Sequence, residues 1–462
     1  MLVQGSYSSP LVRASARTPA SDIKGDDRFH PMEILACLAP LGSASLTHTV
    51  WPDFRPIHFF RNGSKMTQHI RTQVGILGAG PAGLLLAHLL QKANIDSVVI
   101  DTKSREEIEG TVKAGIVESP AADVLSASGV SDRIYREGMK HDGIEFHFDG
   151  TAHRFDFQKH TGKSAYLYPQ HEVLKDLIAA RIRDGVPPLF LHTATAIADA
   201  ESSQPRILGT NAAGESFEIA ADIVVGADGS ASIARSFVNK DRNSAYFREY
   251  PFAWYGILVE APQSSDELIY SRSEDGFVLI STRDREIQRM YFQCDPGLDP
   301  ASVSDEEIWS KLQAGVAGVE LKRGPIFRKD VLRFRSFVAK ELRNGHVFLM
   351  GDAAHTVPPT GAKGMNLAFS DVLWLNEALR EYYRSGSESL MDAYPQNAMK
   401  RIWKAQHFSY WMTTMLHIAP DASEFDKRRQ LGELHSVTES AAANAYLAEG
   451  YVGWDYGAGD WR

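Results

Sequence analysis

Three short segments of this chain put a glycine turn or an acid where a buried strand ends, the placement that recognition of phosphate and sugar requires. In the first, the apolar run Gln73 to Leu77 leads into GAGPAG, with Gly78, Gly80 and Gly83 ahead of the helical run LLLAHLL. A turn without side chains lets a pyrophosphate reach backbone N–H groups at a helix N-terminus, where the helix dipole favours negative charge. The next apolar strand, SVVID, ends at Asp101, close to the spacing at which a carboxylate accepts ribose hydroxyls. This unit predicts a dinucleotide site without choosing between FAD and NAD. Two later segments make the choice. Residues 222–235, DIVVGADGSASIAR, run a strand into Asp228-Gly229, and residues 345–371, beginning GHVFLMGDAAH, run another into Gly351-Asp352. Either alone is also an ordinary Asp-Gly turn. All three in this order point to FAD.

A fourth segment, GFVLISTR at 276–283, alternates so that Phe277, Leu279, Ser281 and Arg283 share one face of a strand. A buried guanidinium needs an anionic partner, because leaving it unpaired costs several kcal/mol. A planar carboxylate matches its fork. From these residues alone, an arginine at a sheet edge in solvent fits as well.

These residues must be held by a sizeable scaffold, and 462 residues are ample for two or three domains. The expected fold is α/β: a Rossmann-like FAD-binding domain, a β-sheet substrate domain and C-terminal helices. The expected divisions are 66–245 and 336–395 for the two parts of the FAD-binding domain, 246–335 for the substrate sheet, and 396–462 for the helical region. Residues 1–65 read as an extension, disordered or not native, with Met66 as a start that fits the onset of ordered pattern. Arg13, Arg17 and the absence of acid before Asp22 weakly resemble a transit peptide, whereas Asp26, Asp27 and Glu33 argue against a secretory signal. A net charge of -9 offers no overall field for nucleic acid, and no apolar run is long enough to span a membrane. Two distant cysteines, Cys37 and Cys294, suggest neither a disulfide framework nor a metal site, so a cytoplasmic setting is expected.

With GDAAHTVPPTGAKGMNLA included, the motif order resembles the 4-hydroxybenzoate 3-monooxygenase family of single-component flavoprotein hydroxylases. YPFAWYGIL, ELIY, FRSF, RIWKA and GYVG extend the resemblance from about residue 70 nearly to the C-terminus. It implies hydroxylation of 4-hydroxybenzoate to 3,4-dihydroxybenzoate with dioxygen and NADH or NADPH, through a flavin C4a-hydroperoxide. It also implies that Ser281, Arg283 and Tyr291 hold the substrate carboxylate and that Tyr270 binds the phenol oxygen. Tyr451 and His141 would then carry the phenol proton toward solvent, and the Pro359 carbonyl would accept a hydrogen bond. On the cofactor side the same resemblance implies Gly78, Gly80, Gly83, Asp101, Lys113, Gln170, Asp228, Asp352, Lys363, Gly364 and Asn366. Lys363 would add positive charge beside the flavin, and Asn366 would hydrogen-bond near it. A homodimer is a further expectation, since RIWKAQHFSYWMTTML is apolar enough to pack on a second copy, although burial within the monomer fits equally.

The sequence departs from the family where the nicotinamide donor would bind. GTVKAG supplies Thr111 and Lys113 in place of an arginine pair, while Arg235 and Arg335 remain as candidates for the NAD(P)H site. After Asp101, Glu106, Glu107 and Glu109 would repel a 2'-phosphate, partly offset by Lys103 and Arg105. NADH is therefore expected to serve at least as well as NADPH.

Overall fold

Two kinds of strand decide the architecture. The protein is described by a computed structural model over residues 58–60, 67–111, 113, 115–239, 241, 244–316 and 318–457. Around the glycine turn the apolar runs are parallel neighbours. Thr67–Leu77 pairs in parallel with Ser97–Asp101 on one side and Ser216–Gly226 on the other, and Ser216–Gly226 pairs in parallel with Val347–Leu349. Parallel strands must be covered on both faces. Val74, Ile76, Val99, Ile223, Val225 and Phe348 are buried accordingly, beneath the crossover helix Pro81–Lys92 and the long helix Gly364–Ser385 beside it. This is the expected Rossmann-like unit, built from two separated stretches of chain. Of the segment 1–65, the strand His58–Phe60 pairs antiparallel with Thr67 to His69; the rest of that segment, with Cys37, lies outside the described residues.

Among the described residues, the second sheet is mostly antiparallel and has eight strands. In spatial order they are His355–Thr356, Ile326–Ala339, Ala245–Glu260, Ile287–Cys294, Gly276–Thr282, Leu268–Ser273, Gly143–Phe148 and Thr151–Asp156. The last two, a hairpin inside the interval 66–245, thus leave the nucleotide part to extend the other sheet. Register aligns Phe146, Tyr270, Leu279, Tyr291 and Gly256 in one row across five strands. Directly opposed residues project from the same face. That face is aromatic: Phe146, Tyr270, Phe277, Trp254 and Phe334 pack with residues of the helices Ser389–Leu416, Glu424–Glu439 and Ala441–Val452. The opposite face is largely aliphatic, with Ile269, Val278, Ile280 and Met290 against the helix Asp305–Gly315. Every residue of Gly276–Thr282 is buried, so its alternation separates two packed faces rather than core from solvent.

Among the described residues, no helix is long and apolar enough to cross a membrane, and no cluster of His, Cys, Asp and Glu has metal-binding geometry. Cys294 is a free, half-buried thiol.

Candidate active site

The glycine turn is shaped by what approaches it. Gly78 sits at φ +102°, and a Cβ there would lie 2.3 Å from the Ala227 carbonyl oxygen, so only glycine admits the 227–228 loop. A Cβ on Gly83 would lie 2.0 Å from the Gly78 carbonyl oxygen, which is why the helix can pack so tightly on its own turn. Gly80 differs: its Cβ would meet nothing within 4 Å, and as N-cap it offers no side chain to the first turn. Gly364 repeats this at the start of its own helix, which also has no side-chain cap. Two uncapped helix N-termini with open backbone fit the charge distribution of FAD: pyrophosphate at the first, the electron-rich edge of the flavin at the second.

Asp101 is locked beside the first turn. Its carboxylate accepts from Ala79 N at 2.8 Å and from Lys103 N at 2.9 Å, and each oxygen keeps further acceptor capacity for a ribose hydroxyl. The other motifs converge on the same place. Met350 N donates to the Gly226 carbonyl at 3.0 Å, and Lys113 Nζ lies 3.7 Å from Asp352 Oδ2, both partly exposed. Gln170 opens the helix Gln170–Arg183, and Tyr168 N donates to the Gly115 carbonyl, which draws it toward the Lys113 loop.

Several expected cofactor or coenzyme contacts change role. Asp228 accepts from Ser232 Oγ at 2.6 Å and from Ile233 N at 2.8 Å, so its carboxylate organises its own loop. Arg235 donates to the carbonyls of Ser230, Asp352 and Ala353 at 2.8 to 3.0 Å and lies over the Phe337 ring, which makes it a tie between two cofactor loops rather than an open phosphate ligand. Arg335, by contrast, is exposed. Lys363 is paired inside the protein: its Nζ meets Glu118 Oε1 at 2.6 Å, with both side chains 2% exposed. The pair cancels the charge expected to face the flavin. Asn366 accepts from Glu118 N at 3.0 Å and donates to the carbonyls of Ile116 and Ala362, so two of its amide bonds join that helix to residues 116–118 and the third returns to the helix's own start. The Pro359 carbonyl accepts from Ala362 N at 2.9 Å, leaving one lone pair for a ligand.

On the aromatic face, Tyr270 and Tyr451 meet hydroxyl to hydroxyl at 2.8 Å, both buried. Burial pushes the Tyr270 phenol up to about 12 and the Tyr451 phenol well above the usual tyrosine range. His141 was expected to lead this pair to solvent, but it is 5% exposed and neither ring nitrogen has a hydrogen-bond partner. Its Nδ1 instead faces Glu267 Oε2 at 3.8 Å, an oxygen likewise without a hydrogen bond, while Arg154 holds Glu267 Oε1 at 2.6 Å. Buried polar groups left this way are the places where a proton or water would be accommodated. Sequence reasoning missed Glu267, although it adjoins Tyr270 in ELIY.

Two strand spacings from Tyr270, about 10 Å away, Tyr291 lies flat over Gly256, whose Cβ would stand 2.6 Å from the ring. Ser281 donates its hydroxyl to the Arg289 carbonyl at 2.8 Å, so a bound carboxylate would have to recapture that proton. Arg283, just beyond the strand end, is half-buried and forms no ion pair with any described residue. Burial first, then the nearby Arg289, press its pKa down. Its Nη2 instead reaches His171 Nδ1 at 3.0 Å. Behind the face, Trp254 Nε1 donates to His417 Nε2 at 2.7 Å, and His417 Nδ1 meets the Thr413 carbonyl at 2.8 Å.

Residues 71–409 match the FAD binding domain family. The p-hydroxybenzoate hydroxylase of Acinetobacter baylyi is 39% identical over 393 residues, covering 84% of this chain and 97% of that protein. A 6-hydroxy-3-succinoylpyridine 3-monooxygenase of Pseudomonas putida is 23% identical over 72% of this chain and 85% of its own length. In fold, the chain is similar to p-nitrophenol 4-monooxygenase from Pseudomonas putida, with a TM-score of 0.68 at 19% identity over 82% of this chain and 97% of that one. By its match to the FAD binding domain and its likeness to p-hydroxybenzoate hydroxylase over nearly the full length of that enzyme, the chain belongs to the FAD-dependent aromatic monooxygenases of the p-hydroxybenzoate hydroxylase family.

Proposed function

We propose that the enzyme converts 4-hydroxybenzoate to 3,4-dihydroxybenzoate, consuming dioxygen and a reduced nicotinamide and releasing water and the oxidised coenzyme. The observation that carries this reading is the Tyr270–Tyr451 hydroxyl pair, on a sheet whose neighbouring strand Gly276–Thr282 is followed directly by Arg283. Bound FAD supplies oxygen activation and transfer of one oxygen atom. The chain supplies position and proton control.

Arg283, with Ser281 and Tyr291, holds the carboxylate, and Tyr270 receives the phenol at the other end of the ring. Because both tyrosines are held protonated near neutral pH, neither stores the charge. The phenol donates to Tyr270, Tyr270 donates to Tyr451, and the proton moves on toward His141 and Glu267. The resulting phenolate pushes electron density onto the ortho carbon. The buried aromatic surround keeps water away from the reacting atoms, and the Pro359 carbonyl accepts a hydrogen bond at the edge of the site. Lys113, Gln170, Asp101 and Asp352 line the cofactor side.

NADH is proposed to serve at least as well as NADPH. Arg105 is paired with Glu109 at 2.7 Å, Glu107 closes a capping box with Ser104, and Arg235 is engaged by backbone carbonyls, so of the cations considered for a 2'-phosphate only Lys103 and Arg335 stay open. Trp403 and Tyr410 remain exposed on the helix Ser389–Leu416, which supports a homodimer contact.

The test is oxidation of each coenzyme by the purified holoenzyme across a panel of aromatic acids. Stimulation by 4-hydroxybenzoate, with NADH at least equal to NADPH, supports the proposal. Coenzyme oxidation indifferent to any aromatic acid would refute it.

A further inference from the structure

The carboxylate clamp is aimed from outside its own sheet. Arg283 follows the last residue of Gly276–Thr282 and is held by its backbone, with its N–H donating to the Ile287 carbonyl at 2.8 Å. That leaves a long side chain with many rotamers at the end of a strand. Its Nη2 is met by His171 Nδ1 at 3.0 Å, from the first turn of Gln170–Arg183. A guanidinium only donates, so Nδ1 must accept and the ring proton must sit on Nε2. Nε2 lies 3.2 Å from Glu172 Oε1, so that proton faces a carboxylate across a charge contact rather than a formed hydrogen bond.

Glu172 is itself anchored. Arg133 reaches it at 2.7 Å and Lys175 at 2.7 Å, and Arg133 continues to Asp176 at 2.6 Å, which also accepts from Tyr168 OH at 2.7 Å. The line therefore runs from a braced helix start, through a neutral imidazole, to the guanidinium.

We propose that His171 is a positioning residue of the substrate site, orienting Arg283 for an aromatic carboxylate without neutralising its charge. The choice of imidazole follows from electrostatics. A carboxylate at position 171 would also orient Arg283, but it would form the ion pair that the substrate needs. An imidazole accepts the same hydrogen bond and leaves the positive charge uncancelled, with Glu172 one ring further away and offset by Arg133 and Lys175. Burial, and then the Arg283 charge, lower the His171 pKa, which keeps the ring an acceptor at neutral pH. This inference rests on the reading of Arg283 as the carboxylate clamp.

The experiment uses the FAD-loaded enzyme, with 4-hydroxybenzoate affinity read from the flavin absorbance change and kcat and KM from coenzyme oxidation. His171→Leu should weaken binding by about tenfold, the worth of one hydrogen bond to a charged group, with kcat within about twofold. His171→Gln, which keeps an acceptor, should recover most of the loss. His171→Glu should weaken binding more than His171→Leu does, although it too keeps an acceptor. Equal affinity in all three variants, or tighter binding in His171→Glu than in His171→Leu, would overturn the proposal. Arg283→Ala separates the two readings: if it weakens binding while the His171 series does nothing, only this inference fails. If Arg283→Ala also leaves binding unchanged, the clamp itself is wrong.

Discussion

The hydroxyls of Tyr270 and Tyr451 stand 2.8 Å apart across 181 residues of sequence, in a cluster where both rings are buried and Tyr451 stacks on Phe157 at 5.1 Å. A strand thereby hands its phenol to a C-terminal helix, the contact through which the proposed function passes the substrate's proton. Tyr270→Phe removes the first carrier while keeping the ring. The variant should bind 4-hydroxybenzoate within a few-fold of the parent yet lose about a hundredfold or more in hydroxylation, with coenzyme consumption diverted to hydrogen peroxide. Product and peroxide measured per coenzyme oxidised check this, and full coupling would refute the proton route.

Among the described residues, Arg283 has no anion paired with it. Truncating it should cost roughly 2 to 3 kcal/mol of carboxylate binding, or about 30- to 150-fold in dissociation constant, while FAD stays bound. A benzoate analogue with a carboxamide in place of the carboxylate should lose far less between parent and Arg283→Ala. Equal losses for the two ligands would mean that Arg283 acts through packing alone.

Lys363 and Glu118 form a pair in which each ion depends on the other. Lys363→Met leaves a buried carboxylate without its cation and should lower stability by about 3 to 5 kcal/mol. The double variant Glu118→Gln with Lys363→Met should recover much of that loss and still hold FAD, since the pair presents no net charge to the flavin. Urea unfolding midpoints and flavin retention measure both effects. A double variant less stable than the single one would contradict this account.

His417 sets an acid limit on stability. Trp254 Nε1 can only donate and the Thr413 carbonyl can only accept, so the ring is neutral, and burial lowers its pKa from 6.5 to about 3. Above pH 6.5 folded and unfolded states are both neutral here. Below it the unfolded chain takes up a proton that the folded chain refuses until about pH 3, so this part of the stability is lost as pH falls across that window. The loss from this one group should reach roughly 3 kcal/mol at pH 4. His417→Gln should show a correspondingly shallower fall in unfolding free energy between pH 7 and 4, and an identical slope would count against a neutral buried imidazole.

Much of the fold was legible because glycine turns and apolar strands report local backbone requirements. Gly78, Gly80, Gly83 and Asp101 fall where their spacing puts them, since each acts within one strand–turn–helix unit. The misread residues are those whose partners lie far away in sequence. Lys363 looked like a charge for the flavin, but its carboxylate, Glu118, is 245 positions earlier. Arg235 closes on the Asp352 carbonyl across 117 positions. Spacing along a strand says which face a side chain takes, not which distant group will saturate it. The hairpin Gly143–Asp156 escaped for the same reason: nothing local says which of two sheets an amphipathic hairpin joins.

The proposed reaction places one oxygen atom on the ring carbon beside the phenol of a bound 4-hydroxybenzoate. The direct measurement is mass analysis of the product formed by the FAD-loaded enzyme with reduced nicotinamide under isotopically labelled dioxygen. The expected product is 3,4-dihydroxybenzoate carrying one labelled oxygen, formed in step with coenzyme oxidised. Coenzyme oxidation that leaves 4-hydroxybenzoate unaltered, or a product without the label, would contradict it.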